Sequence, residues 1–155
     1  FTLAFAGSGG GTVSGKITFE PGSAVSVVFI SGDLSIEATG TVTAVGDNKL
    51  LAFGHQLFNF GPIRLPLAGT QIYATLPSLM SSTKMSTATE VVGTFLQDRM
   101  SGAYGDLTVL PTMIPVNLKM ESPFHAPHHF LLNWPMIRHL IIYCHFICEL
   151  PSFKR

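Results

Sequence analysis

Short runs of Val, Ile, Thr and Phe, each stopped after a few residues by Gly, Pro, Asp or Asn, set the strongest constraint on this chain. β-branched and aromatic side chains suit a pleated, half-buried surface, and the stopping residues are those that turns demand. The pattern predicts strands over 13–19, 24–30, 34–45, 49–53, 71–76, 90–96, 107–110 and 114–120. Pro21-Gly22 and Ser31-Gly32-Asp33 read as turns, because proline presets φ and glycine admits positive φ. Gly46-Asp47-Asn48 predicts a hairpin joining the strand that ends near Val45 to the one beginning at Lys49. A short helical turn is expected over 77–85. Strands at this spacing, with little amphipathic helix between them, predict an all-β barrel or sandwich.

Composition narrows the function. Nine basic residues balance nine acidic ones, so no broad field attracts nucleic acid or an anionic membrane. Hydrophobic residues reach 46% and charged ones only 12%, which excludes a disordered chain. No run approaches the roughly 18 uninterrupted apolar residues of a spanning helix. Gly7-Ser8-Gly9-Gly10-Gly11 reads as a flexible linker, since no Lys-Ser/Thr follows as a phosphate-binding loop requires. With Phe1 in first place rather than Met, an upstream segment is expected to be absent.

The sequence divides into a lead-in over 1–19, a β-rich body over 20–121 and a tail over 122–155 of a different character. The tail holds His125, His128, His129, His139 and His145, both cysteines (Cys144 and Cys148) and the lone Trp134. It has neither clean alternation nor a helical period, as expected of a shifted reading frame, an artificial end or a disordered segment. His125, His128 and His129 with Cys144, His145 and Cys148 could furnish zinc ligands, but the spacing fits no common finger and Pro127 and Pro135 interrupt it. No metal or other cofactor is expected. A membrane-surface helix over 130–150 is excluded by apolar residues on every face and by Arg138 and His139.

Within the body, Pro21-Gly22-Ser23-Ala24, Gly32-Asp33, Gly40-Thr41-Val42-Thr43 and Leu51-Ala52-Phe53-Gly54-His55 follow in order. Leu76-Pro77-Ser78, Ser82-Thr83-Lys84, Val92-Gly93-Thr94 and Gln97-Asp98-Arg99 with Gly102 and Gly105 come after them. This series resembles the SpoIVB-type serine peptidases over roughly residues 20–117. The resemblance implies a chymotrypsin-like arrangement of β-barrels, here the first barrel and part of the second, and an extracytoplasmic bacterial endopeptidase, secreted or membrane-proximal. It implies a protein or peptide substrate and, as partner, the second barrel of the parent chain. It makes His55 the catalytic histidine. Imidazole suits that work because its pKa lies near neutrality and it can take a serine proton and return it to the leaving amine.

The family's Gly-x-Ser-Gly-Ser-Pro nucleophile segment does not occur in this sequence. Met100-Ser101-Gly102 is the nearest imitation, with Arg99 where glycine is wanted and Ala103-Tyr104 in place of Ser-Pro. Asp33, Asp98 and Asp106 are the carboxylates to weigh as an orienting partner, and each reads first as a solvated turn residue or surface charge. The chain alone is therefore expected to be close to inert as a peptidase. Alternatives are a non-catalytic β-domain for binding or assembly and a zinc-stabilised module. Phe53, Leu57, Phe58 and Phe60 are expected to form an apolar patch left uncovered by the missing barrel.

Overall fold

The alternating and continuous apolar runs pair into one antiparallel system. A computed structural model describes residues 3–7, 17–79, 82–122 and 125–135. Its strands are β1 (Leu3–Gly7), β2 (Ala24–Gly32), β3 (Leu34–Gly46), β4 (Lys49–Ala52), β5 (Gly61–Leu76), β6 (Thr83–Arg99), β7 (Gly102–Asp106), β8 (Met113–Ser122) and β9 (His125–Pro135). The described residues are all-β, with no helix. Pairings run β3–β4–β7–β6–β5–β2 and return to β3, so the sheet closes into a ring. β1 adds to β3, and the β8–β9 hairpin attaches to β2 through Ser31↔Asn133 and Gly32↔Leu132. Closure pairs the six ring strands on both sides, while β1 and β8 stand at the ends of the strand order.

The ring is filled by Val25, Val27, Phe29, Ala38, Val42, Leu50, Ala52, Leu65, Leu67, Phe95 and Ala103. β2 is buried on both sides, from Val25 through Ile30, which is why its sequence reads as a nearly continuous apolar run. The β3–β4 hairpin turns through Asp47 and Asn48 at φ 50° and 60°. Two left-handed central residues make the twist-compatible type I′ turn that Gly46-Asp47-Asn48 predicts.

The distal half of the β5–β6 hairpin lies across the outer face of β2 and β3, and polar side chains make that contact. Ser26 and Thr39 hydroxyls meet at 3.0 Å, Thr39 and Ser86 at 2.7 Å, and Thr70 donates to Ser26 at 2.8 Å. Lys84 Nζ donates to Thr41 Oγ1, and the Ala88 N–H donates to Glu37 Oε1 at 2.7 Å. Glu37 is only 2% exposed. Burial pushes its carboxyl above the ordinary range, partly offset by the Ala88 amide. Among the described buried side chains no polar atom lacks a partner.

Several elements differ from the sequence reading. The run at 13–19 is not a strand where described: 17–20 is irregular, and the first strand is β1. Gly7 ends that strand, and the rest of the glycine run lies outside the described residues. β5 begins ten residues before the expected 71, because Pro62 and Pro66 mask a strand whose Ile63, Leu65 and Leu67 point into the core. The described part of 77–85 is not helical, and β6 starts at Thr83. Residues 107–110 form no strand: Asp106 accepts from the Thr108 amide and hydroxyl instead, making a local turn that competes with the ladder. β7 spans Gly102–Asp106, where the composition pattern predicts no strand. The change of composition at 122 does not end the sheet, since β8 pairs with β9 from Ser122↔His125 to Met113↔Pro135. The rest of the tail lies outside the described residues.

Candidate functional site

The segment 53–60 joins β4 to β5 and carries His55. Its path is set by backbone that few residues adopt: Phe53, Gly54, Asn59 and Gly61 have φ of 74°, 69°, 59° and 74°. Glycine adopts such an angle readily at Gly54, but Phe53 holds a left-handed conformation that is unfavourable for a bulky residue. Two contacts hold it there. The Phe53 N–H donates to the Thr41 carbonyl at 2.9 Å, and its ring fills the space that a side chain on Gly40 would take. The ring meets Phe95 edge-on at 5.9 Å and the His55 imidazole edge-on at 6.1 Å. The Gly40 motif and the Gly-His motif are thus two sides of one packing contact.

His55 is exposed. Its Nδ1 lies 2.7 Å from the Gln56 carbonyl oxygen. A carbonyl only accepts, so Nδ1 carries a proton, and in the neutral ring Nε2 then carries the lone pair. That is the tautomer a general base needs.

The loop beyond His55 is pinned from beneath by Asp98, whose residue is 1% exposed. Oδ1 accepts the Leu57 N–H at 2.8 Å, and Oδ2 accepts those of Phe58 at 2.8 Å and Phe60 at 3.3 Å. Asp98 is therefore a buried loop anchor and neither a solvated turn residue nor a surface charge. Sequence reading misses this because the donors are backbone amides some 40 residues away, which leave no trace in side-chain identity. Arg99, next in sequence, donates from Nε and Nη2 to Gln97 Oε1 and lies beside Gly61.

The other candidates stand apart in role. Ser101 is exposed at the β6–β7 turn. That turn abuts the loop, since a Cβ on Gly102 (φ 145°) would sit 2.8 Å from the Ala52 carbonyl oxygen and 3.6 Å from the Gly54 nitrogen. No hydrogen bond joins Ser101 to His55. Asp33 accepts the Leu131 N–H at 2.7 Å and tethers β9. Asp106 is bound to Thr108, whose hydroxyl and amide hold its carboxyl below the ordinary range.

The expected apolar patch divides. Leu57 is buried in the core, Phe53 and Phe60 pack against it, and Phe58 is 42% exposed. Phe58 stacks on Phe60 at 5.1 Å and meets Phe29 edge-on at 5.5 Å. The same loop thus carries an exposed imidazole and the exposed ring of Phe58. Among the described residues no group of three His, Cys, Asp or Glu could hold a metal ion. Cys144, His145 and Cys148 lie outside them. No helix among the described residues is long and apolar enough to cross a membrane.

Comparison with family models, curated proteins and solved structures gave no match to this chain.

Proposed function

We propose that this chain is the histidine-bearing portion of a SpoIVB-type serine endopeptidase of chymotrypsin-like architecture, with His55 as general base and acid. The observation that carries the reading is the setting of His55: an exposed imidazole whose Nδ1 lies 2.7 Å from the Gln56 carbonyl oxygen and whose Nε2 takes part in no described hydrogen bond. Support comes from the convergence of motif residues far apart in sequence, Gly40, Phe53-Gly54-His55, Gln97-Asp98-Arg99 and Gly102, on one loop. In the reaction, a serine oxygen supplied from outside this sequence attacks the peptide carbonyl while its proton passes to Nε2. The proton then goes to the leaving amine, and water repeats the cycle on the acyl-enzyme. The exposed Phe58 is suited to an apolar side chain of a peptide substrate, and the reading carries with it an extracytoplasmic setting, secreted or membrane-associated.

The test uses a longer protein containing this chain and a Gly-x-Ser-Gly segment. A fluorophosphonate should label that serine, and His55→Ala should slow labelling by about a thousandfold or more, as loss of a triad member does. Labelling at an equal rate in His55→Ala overturns the assignment.

A second reading, a non-catalytic β-domain for binding or assembly, is favoured by one observation: no described serine or carboxylate side chain hydrogen-bonds to His55. It predicts no labelling in any protein that contains the chain.

A further inference from the structure

We infer that the edge of β3 over Leu34–Ala38 is a strand-docking site at which two copies of this chain exchange β1, each supplying residues 3–7 to the other. The inference goes beyond the peptidase reading and does not depend on it.

β1 stands outside the ring and pairs with β3 alone, antiparallel, from Leu3↔Ala38 to Gly7↔Leu34. β2 takes the opposite side of the same stretch, at Val28↔Glu37 and Val27↔Ala38. β4 pairs with β3 only from Val42 onward. Without β1, Leu34–Ala38 would present a bare ladder edge, and such an edge recruits any extended strand that reaches it. Two of its residues, Glu37 and Ala38, are 2% and 0% exposed in the paired state. Their edge groups are therefore placed to bond a strand in preference to water. The pairing is between backbones, so it does not discriminate one copy's residues 3–7 from another's. Leu-Ala-Phe-Ala-Gly bears no charge, and the chain as a whole is neutral, so self-approach meets no electrostatic barrier.

The reach of the chain decides between the copies. β1 ends at Gly7, opposite Leu34. Ten peptide steps later, Ile17 Cδ1 lies where a side chain on Gly69 would go. Gly69 is in register with Val25, and Val25 with Gly40. From Leu34 to Gly40 is about 20 Å along β3, and from β1 to β5 is three strand spacings, about 14 Å, so the two ends stand about 24 Å apart. A relaxed glycine-rich chain of this length spans about 16–19 Å, and a fully drawn one about 33–36 Å. Pairing within one molecule thus holds the connection about a quarter to a half beyond its relaxed span. Short hinges under tension favour exchange of the element they carry. Between two molecules the span is not fixed by one fold, because the second copy settles at the distance the connection prefers.

The experiment joins hydrodynamics to a cross-link that only exchange can form. Sedimentation velocity of the full chain should show a concentration-dependent dimer. In a Cys144→Ser, Cys148→Ser background, chains carrying Ala6→Cys alone are refolded with chains carrying Ser35→Cys alone and then oxidised. Residues 6 and 35 are opposite in the β1–β3 register, so a disulfide-linked pair should form. Ala6→Cys mixed with Gly46→Cys, on β3 outside that register, should yield about tenfold less, as expected when no docking raises the local concentration. Equal yields in the two mixtures, or a chain monomeric at every concentration, overturn the inference. Deleting Ser8–Gly11 leaves six peptide steps, a reach of about 20–22 Å at most, which is too short for pairing within one molecule. The deleted chain should therefore dimerise more tightly with Leu34–Ala38 amides still protected. A monomer with those amides unprotected would overturn the inference. Should the variants not fold, isotope-filtered NMR of mixed labelled and unlabelled native chain decides: β1–β3 contacts between copies support the exchange, and contacts only within a copy overturn it. None of these readouts involves serine labelling, so the peptidase reading and the exchange fail separately.

Discussion

Replacing Gly40 with alanine tests the claim that the Gly-Thr-Val-Thr and Gly-His motifs are one packing unit. A Cβ at position 40 would fall 2.8 Å from Phe53 Cγ, with Cδ1 and Cε1 nearer still. Ordinary carbon–carbon contact is about 3.5–4.0 Å, so the ring as a whole must retreat by about an ångström or more. It has little room, being backed by the fully buried Phe95 and flanked by His55. Overpacking of this kind costs about 1–3 kcal/mol. Reduced freedom of the unfolded chain returns about 0.4–1 kcal/mol, leaving a net loss of up to about 2.6 kcal/mol. At about 2–4 °C per kcal/mol for a chain of this size, the Tm should fall by up to about 10 °C. The control is Gly46→Ala, on the same strand with nothing within 4 Å of its Cβ, which should be neutral or slightly stabilising. Denaturant unfolding of both variants measures the difference, and the His55 ring proton shifts report whether Phe53 moved. If Gly40→Ala equals Gly46→Ala in stability and leaves the His55 signals unmoved, the reasoning fails.

Glu37 gives a pH test. Its folded carboxyl is raised by burial, so its stabilising contribution is full below the ordinary carboxylate range and is lost as pH rises through the raised value. Unfolding free energies of Glu37→Gln and the native chain should differ least at acid pH and increasingly favour the variant toward neutrality, and a constant difference would refute this. Phe95→Ala, at the centre of the ring and 0% exposed, should cost about 3–5 kcal/mol, read by denaturant midpoint; a loss below about 1 kcal/mol would contradict the central packing. Asp33→Ala removes the acceptor for the Leu131 amide and should cost about 1–2 kcal/mol. It should also speed proteolysis within β8–β9 while ring amides stay protected, and uniform loss of protection would count against a separately tethered hairpin.

Much of the architecture is legible in the sequence because it rests on local chemistry. β2, most of β3 and the Asp47-Asn48 turn follow from β-branched runs and from residues that tolerate left-handed φ. The misread elements are those where long-range contacts override local signals. Pro62 and Pro66 argue against a strand, yet β5 pairs with β6 through both, with a register shift between Pro62 and Leu65 and with Pro66 in register opposite Thr94. β7 goes unpredicted because close approach to Ala52 and to Leu67 demands Gly102 and Gly105, which weaken the strand signal. Of the site, His55 and Gly54 stand out in sequence. The left-handed Phe53 and the anchoring Asp98 do not, since one depends on a cavity made by Gly40 and the other on amides of a distant loop.

The route of the chain round the ring ties the site to the order of folding. β2–β3–β4 and β5–β6–β7 are successive meanders whose internal pairings are local, and the loop with His55 is the link between them. The ring closes only when β5 reaches β2 and β7 reaches β4, as in Val25↔Gly69 and Lys49↔Asp106. Contacts of such sequence separation form late, because loop closure costs entropy before any pairing rewards it. Asp98 belongs to the second meander and grips the link, so the histidine loop acquires its shape only once the halves have docked. In a refolding experiment, protection of the Leu57 amide should appear with the slowest phase, together with the β4–β7 amides and after those of the β3–β4 hairpin. A chain stalled before closure would own every residue of the site and none of its geometry.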